Sequence, residues 1–168
     1  AGLFCGYMLS KYGFKPIIYE RGKRVEDRIL DVENFWNGGK LLLNSNVQFG
    51  EGGAGTFSDG KLNTLIKDKF GRNKEVLKIF VENGAPEEIL YESKPHIGTD
   101  ILSDTVKSMR KKMINWGADI NYESQVTDFI IKDNRLIKIV INNSLTVDVE
   151  NVILAIGHSA RDTFKTLY

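Results

Sequence analysis

The first twenty residues, AGLFCGYMLSKYGFKPIIYE (residues 1–20), decide the fold class. Apolar residues four positions apart predict a helix that begins near Gly2 and ends near Gly13. Residues 15–20 predict a short buried strand that ends on Glu20. The order helix, glycine, strand, acid is that of the second half of a dinucleotide-binding βαβ unit, in which the acid after the second strand binds ribose hydroxyls.

The spacing of Gly2 and Glu20 supports this interpretation. Glu20 follows Gly2 by 18 positions (20 minus 2), close to the roughly 20 residues between the dinucleotide-binding glycines and the acid. If Gly2 is the third glycine of that pattern, the first strand and the first two glycines are expected to precede the sequence. A helix followed by a strand that ends in Glu is common, so this prediction needs support from elsewhere in the chain.

The segment FGEGGAGTFSDGKLNT (residues 49–64) supplies that support. It holds 5 of the 16 glycines of the chain, which excludes a regular helix or a central strand. Glycines let main-chain N–H groups approach an anion closely, and Thr56 and Ser58 add hydroxyl donors. The segment predicts a phosphate cradle, with a flexible loop as the alternative. Asp59 and Lys61 are candidates to tune a bound cofactor or to form a loop salt bridge.

Two helices are predicted between this segment and residue 117. The first ends at Gly84, and the second begins at Thr99 or Asp100 as N-cap and ends at Gly117. The second helix carries an apolar stripe that includes Met109 and Met113, and we interpret both methionines as core. Its basic residues (Lys107, Arg110, Lys111 and Lys112) are interpreted as a solvated face.

In the last third of the chain, the spacing of the apolar residues changes to the two-residue period of strands. Residues 118–149 predict a strand and a β-meander, with turns at Asp133-Asn134 and Asn142-Asn143. The continuous apolar run 152–157 predicts a strand buried on both faces of a parallel sheet. His158 follows at its carboxyl end, where ligands bind in open α/β sheets.

Composition sets limits on function. Lys and Arg total 23 against 22 for Asp and Glu, so charge gives no case for nucleic acid or an anionic membrane. Cys5 is the single cysteine, which excludes a disulfide framework and a cysteine-based zinc site and is typical of a cytoplasmic protein. No apolar run reaches the length of a membrane span, and neither His96 nor His158 has the spaced partners of a metal site. The oligomeric state stays open.

The joint occurrence of these elements resembles a known family. Residues 46–64 and 94–100 are similar to the bacterial NAD- or FAD-utilising dehydrogenases, which are flavoproteins of the glutathione-reductase-like type with two dinucleotide-binding domains. The resemblance implies an α/β, Rossmann-like FAD/NAD(P)-binding domain in which a parallel sheet is joined to a small antiparallel meander. Residues 1–168 would form part of it, with the remainder of the domain and a substrate domain after residue 168.

The resemblance also implies a cofactor and a set of contacts. FAD would perform hydride transfer for a small-molecule substrate or electron acceptor, with NAD(P)H as a candidate electron donor, and no catalytic residue is assigned. Gly2 would approach the pyrophosphate, Glu20 the adenosine ribose, and Val126 the adenine. The implied cofactor-binding residues are Gly2, Glu20, Arg21, Gly52, Gly53, Ala54, Gly55, Thr56, Ser58, Val126, Ala155, Gly157 and His158.

Two other functions remain open on the sequence alone. The first is a noncatalytic or RNA-modifying flavoprotein, which would call for a basic surface that the even charge balance does not favour. The second is a nicotinamide-only Rossmann protein, for which Glu20 would suit NAD better than NADP. The glycine-rich segment and the long stretch before the meander favour FAD over a nicotinamide cofactor alone.

Overall fold

The computed structural model describes residues 1–58, 60–62 and 68–168, and these residues form an α/β fold. The helices are α1 (Gly2–Lys11), α2 (Val25–Trp36), α3 (Arg72–Glu82), α4 (Thr99–Asn115) and α5 (Arg161–Leu167). The strands are β1 (Ile17–Tyr19), β2 (Asp119–Asn121), β3 (Val126–Lys132), β4 (Arg135–Ile141) and β5 (Leu145–Asp148). Short 3-10 turns cover Ala54–Phe57 and Glu87–Leu90.

Two strands from opposite halves of the chain form a parallel pair. Ile17 of β1 lies opposite Asp119 of β2, and Tyr19 lies opposite Asn121. Parallel strands need a long crossover between them, and here the intervening chain includes α2, α3 and α4. The α/β class predicted from residues 1–20 is therefore confirmed, with two parallel strands in the part of the chain that the structure describes.

The predicted meander is present as a separate sheet of order β3-β4-β5, all antiparallel. Both predicted turns contain two successive residues in the left-handed conformation, which is typical of tight hairpins: φ is 50° and 58° at Asp133 and Asn134, and 51° and 56° at Asn142 and Asn143. Asparagine and aspartate tolerate this conformation better than other non-glycine residues. Residues 118–149 thus form a strand followed by a meander, as predicted, and the pairing of that strand with β1 was not predicted.

The core lies between α1, α3 and α4. The predicted stripe of α4 is buried at Leu102, Val106, Met109 and Met113, so both methionines are core residues. Gly6 lets α1 approach β1 closely, because a Cβ at this position would lie 2.5 Å from Cδ1 of Ile18. Among the described helices, none is long and apolar enough to cross a bilayer.

Two details of the helices differ from the predictions. The N-cap of α4 is Gly98, with no side-chain cap, so Thr99 and Asp100 are the first helical residues instead. Helices α2 and α5 were not predicted from the sequence.

The prediction of a buried strand at residues 152–157 is wrong. These residues form no strand, and Ile153, Leu154, Ala155 and Gly157 are exposed. A strand buried on both faces needs a hydrogen-bonded neighbour and layers on each side. Neither β1 nor β2 pairs with this segment, so its apolar side chains stay open to solvent.

Candidate functional site

Glu20 joins the end of β1 to the start of the glycine-rich segment. Its Oε1 accepts a hydrogen bond from the amide of Gly22 at 2.8 Å and another from the amide of Gly50 at 3.1 Å. The two backbones approach so closely that a Cβ on Gly22 would lie 2.5 Å from Cα of Gly50 and 2.6 Å from the carbonyl oxygen of Asn44. Two separately predicted elements therefore meet at the carboxyl end of the parallel pair.

Arg28 of α2 fixes the backbone of the glycine-rich segment and of the residues before it. Its guanidinium is fully buried and donates to the carbonyl oxygens of Asn46, Val47, Gly50 and Glu51 at 2.6–3.2 Å. Burial lowers the pKa of Arg28 to about 10, although the negative charges of Glu20 and Glu51 favour the cation. Carbonyl groups that would otherwise be buried without donors are satisfied in this way.

Glu51 fixes the same segment to three other elements. Its carboxylate accepts hydrogen bonds from the hydroxyl of Tyr122 (2.6 Å), the guanidinium of Arg110 (2.8 Å) and the amide of Val25 at the start of α2 (2.8 Å). Arg110 also forms a two-pronged ion pair with Glu26. The backbone just before Gly52 is thus anchored to α2, α4 and the end of β2.

The interpretation of Arg110 as part of a solvated face is wrong. Its side chain is buried, because it follows Val106 by four positions and so lies on the core side of α4. Glu26 and Glu51 compensate its charge.

Burial and ion pairing shift the pKa values of this cluster in opposite directions. The hydrogen bond from Arg110 lowers the pKa of Glu26 to about 2. Burial raises the pKa of Glu51 and outweighs its hydrogen bonds and its attraction to Arg110. Burial and the nearby charge of Glu51 raise the pKa of Tyr122, so this hydroxyl stays a proton donor to Glu51.

Within the predicted phosphate cradle, residues 50–53 form a turn that leads into the 3-10 turn Ala54–Phe57. Gly52 and Gly53 have φ values of 86° and 74°, which favour glycine. The hydroxyl of Ser58 donates to the carbonyl of Gly55 at 2.9 Å, so it serves the turn itself. Thr56 is 1% exposed, and its hydroxyl has no hydrogen-bond partner among the described residues. Asp59, the other polar candidate, lies outside the described residues.

Arg21 connects Glu20 to the meander side of the site. It forms a two-pronged ion pair with Asp162 of α5 (3.1 and 2.8 Å), and its guanidinium also donates to Asn44. Gln125, which precedes Val126, donates to the same carboxylate of Asp162 at 2.9 Å. The pair with Arg21 lowers the pKa of Asp162. The structure therefore brings Glu20, Arg21 and the start of β3 into one region.

The remaining predicted residues are not gathered there. Gly2 starts α1 beside the apolar segment 152–157, since a Cβ on Gly2 would lie 3.3 Å from Cβ of Ala155. Gly157 and His158 are exposed, and no hydrogen bond joins either of them to the other predicted site residues in the described part of the chain.

A polar cleft of about 380 Å³ lies where β2 ends and α2 begins. Its walls are Lys23, Arg24, Asp27 and residues 120–123. In residues 1–58, 60–62 and 68–168, no group of three or more His, Cys, Asp and Glu side chains is placed to hold a metal ion.

Sequence reasoning found Glu20, Arg21 and the glycine-rich segment but missed the side chains that fix them. Those residues are Arg28, Asn44, Glu51, Arg110, Tyr122, Gln125 and Asp162. A signal was available for Arg28, because a charged residue stands three positions after Val25 and four before Val32 on the buried side of α2. Such a residue is expected to be paired or hydrogen-bonded.

No family model matches the sequence. An uncharacterized protein of Clostridium beijerinckii is 50% identical to the chain over 168 residues, which is 100% of this chain. The chain spans 31% of the length of that relative. The matched region covers residues 1–168 and therefore spans the whole site.

Proposed function

We propose that this chain is the adenosine- and pyrophosphate-binding portion of an FAD-dependent dehydrogenase. The observation that carries the proposal is the position of Glu20. Its carboxylate stands at the carboxyl end of a parallel strand and is hydrogen-bonded to the first glycine of the glycine-rich segment. In open α/β sheets this is the place where an acid binds the ribose of a dinucleotide.

The residues present fit such a cofactor. The two amides use Oε1 of Glu20, and no hydrogen bond within the described residues uses Oε2, so this oxygen is open to a ribose hydroxyl. The glycines at 52, 53 and 55 expose backbone that a pyrophosphate can approach. Among the described residues, the buried hydroxyl of Thr56 has no hydrogen-bond partner, and buried polar groups usually have one.

The role of this chain is to bind and position the cofactor. FAD supplies the hydride chemistry when bound. Arg28 and Glu51 hold the glycine-rich backbone in one conformation before any ligand arrives, so little ordering is needed on binding. Arg21, held by Asp162, presents a cation next to Glu20, where it can contact the adenosine portion.

The position of α1 supports the finer proposal of a Rossmann-like sheet. Gly6 of α1 packs on Ile18 of β1, and Gly2 lies next to Ala155. Helix α1 therefore contacts both β1 and segment 152–157, which do not pair with each other. We propose that a further parallel strand fills this space through a right-handed crossover with α1 and β1.

A nicotinamide-only protein would use Glu20 in the same way, so the proposal needs a test that separates the two. The complete polypeptide would be titrated with FAD and, separately, with NAD⁺ and NADH, while flavin and nicotinamide fluorescence are followed. We expect FAD to bind tightly and the nicotinamides to bind weakly or only to the FAD-loaded protein, as electron donors do. Tight NAD⁺ binding with no response to FAD would favour the nicotinamide-only function instead.

A further inference from the structure

A second feature of the molecule lies at the end of α2 and in the residues that follow it. Five large apolar side chains are exposed within nine residues, and we call them the 35–43 surface: Phe35, Trp36, Leu41, Leu42 and Leu43. Trp36 is 61% exposed and Leu43 is 77% exposed. Lys40 is the one charged residue between positions 35 and 43.

Part of this surface lies on the same side of α2 as the residues that α2 buries. Val25 and Val32 are buried on one side of the helix. Phe35 and Trp36 follow Val32 by three and four positions, so they continue the same apolar stripe. The stripe therefore extends beyond the core of the described residues, as it does when a helix packs against a second apolar layer.

Hydrogen bonds fix the backbone at two of the exposed leucines. The side-chain amide of Asn46 donates to the carbonyl oxygens of Leu42 (2.6 Å) and Leu43 (3.2 Å). Ser45, next to them, donates to Asp31 of α2 at 2.6 Å. An ordered backbone that holds apolar side chains in solvent is typical of a binding surface.

We infer that the 35–43 surface is a docking surface for another part of the same polypeptide. The relative that is 50% identical over the whole chain is more than three times as long, since the chain spans 31% of it. A stable interface between separate proteins uses roughly 20–30 residues on each side, far more than five side chains. A covalently linked partner has a high effective concentration, so a small apolar contact suffices to hold it.

The test is hydroxyl-radical footprinting of the complete polypeptide, which measures side-chain accessibility residue by residue. Trp116 is the matched reference, because it is the same residue type and is 37% exposed. If the surface is covered, Trp36 is oxidised more slowly than Trp116. From their exposure in the described residues alone, Trp36 would be oxidised faster than Trp116. If Trp36 is oxidised at the same rate as Trp116 or faster, the inference is overturned.

Dilution and one pair of variants identify the occupant. Protection of Trp36 that disappears as the protein is diluted would show a second copy on the surface and overturn the inference. Leu43→Asp should restore oxidation of Trp36. Leu30→Asp is the control, because Leu30 is exposed and lies roughly 140° around the helix from Val25, and it should leave the protection of Trp36 unchanged.

Discussion

Glu20 and Gly50 are joined by a hydrogen bond of 3.1 Å from the amide of Gly50 to Oε1 of Glu20. The contact links a strand end to a glycine-rich segment 30 residues later in the chain. It brings the acid and the phosphate-binding candidates to one place, which neither sequence pattern specifies alone. The proposed cofactor site depends on this contact.

The first prediction concerns the charge of Glu20. Glu20→Gln keeps an acceptor oxygen for the amides of Gly22 and Gly50 but removes the negative charge. Hydrogen bonds to charged groups contribute about 1.5–3 kcal/mol, so FAD affinity of the complete polypeptide should fall by roughly tenfold or more, with little loss of stability. Glu92→Gln, at an exposed position, is the control. Unchanged FAD affinity in Glu20→Gln would remove Glu20 from the site.

The second prediction concerns the close approach of two backbones. Gly22→Ala should lower the free energy of unfolding by about 1–3 kcal/mol, because its Cβ would collide with the backbone of Gly50 and Asn44. Gly55→Ala is the matched control, since a Cβ there meets no atom of the described residues within 4 Å. Urea denaturation of both variants checks the prediction. Equal stability of the two would mean that the strand end and the glycine-rich segment are not in contact.

The third prediction concerns Arg28. Arg28→Lys should lower the free energy of unfolding by about 3 kcal/mol or more, because an ammonium group cannot reach all four carbonyl oxygens and would be buried with an incomplete set of partners. Arg24→Lys, at an exposed position of the same segment, should change it by less than about 0.5 kcal/mol. Thermal unfolding of the two variants, followed by circular dichroism, makes the comparison. A tolerated Arg28→Lys change would show that the four carbonyl contacts contribute little.

The fourth prediction concerns the stability of the fold at low pH. The folded pKa of Glu26 is about 2 against an ordinary value of 4.5, so its ion pair stabilises the fold above pH 4.5 and this stabilisation is lost as pH falls toward 2. Glu26 is 40% exposed, so solvent screening limits the contribution to about 1 kcal/mol. Glu51 acts in the opposite sense, because its raised pKa means that protonation favours the folded state.

The test of this prediction is the pH dependence of unfolding for Glu26→Gln. The variant should be less stable than the parent chain near neutral pH, and the difference should shrink as pH falls below 4.5. Glu33→Gln, exposed on the same helix, should show no such convergence. A difference between Glu26→Gln and the parent that stays constant with pH would contradict the assigned ion pair.

Local patterns predicted local structure well. The paired turns of the meander follow from Asp133-Asn134 and Asn142-Asn143, and the core side of α4 follows from the spacing of its apolar residues. The course of α2 could not be predicted, because Arg28 interrupts its apolar stripe and its partners are carbonyl groups 18–23 positions away in the sequence. Such partners are fixed by tertiary structure and leave no periodic signal.

The error at residues 152–157 has a related cause. A continuous apolar run is typical of a central strand, but the strand forms only where hydrogen-bonding neighbours exist. The described residues provide α1 beside Ala155 and no neighbouring strand. The contact of Glu20 with Gly50 could not be predicted either. Glu20 was a predicted site residue and Gly50 lies in the predicted glycine-rich segment, but Arg28 and Glu51 hold that segment in position through contacts that the sequence does not show.

The most direct test of the proposed function is the flavin content of the complete polypeptide, purified without added cofactor. The visible absorbance spectrum would be recorded, and the nucleotide released by denaturation would be identified. We expect a flavin spectrum and FAD in stoichiometric amount, either as purified or after addition of FAD. A folded, colourless protein that also fails to bind added FAD would contradict it.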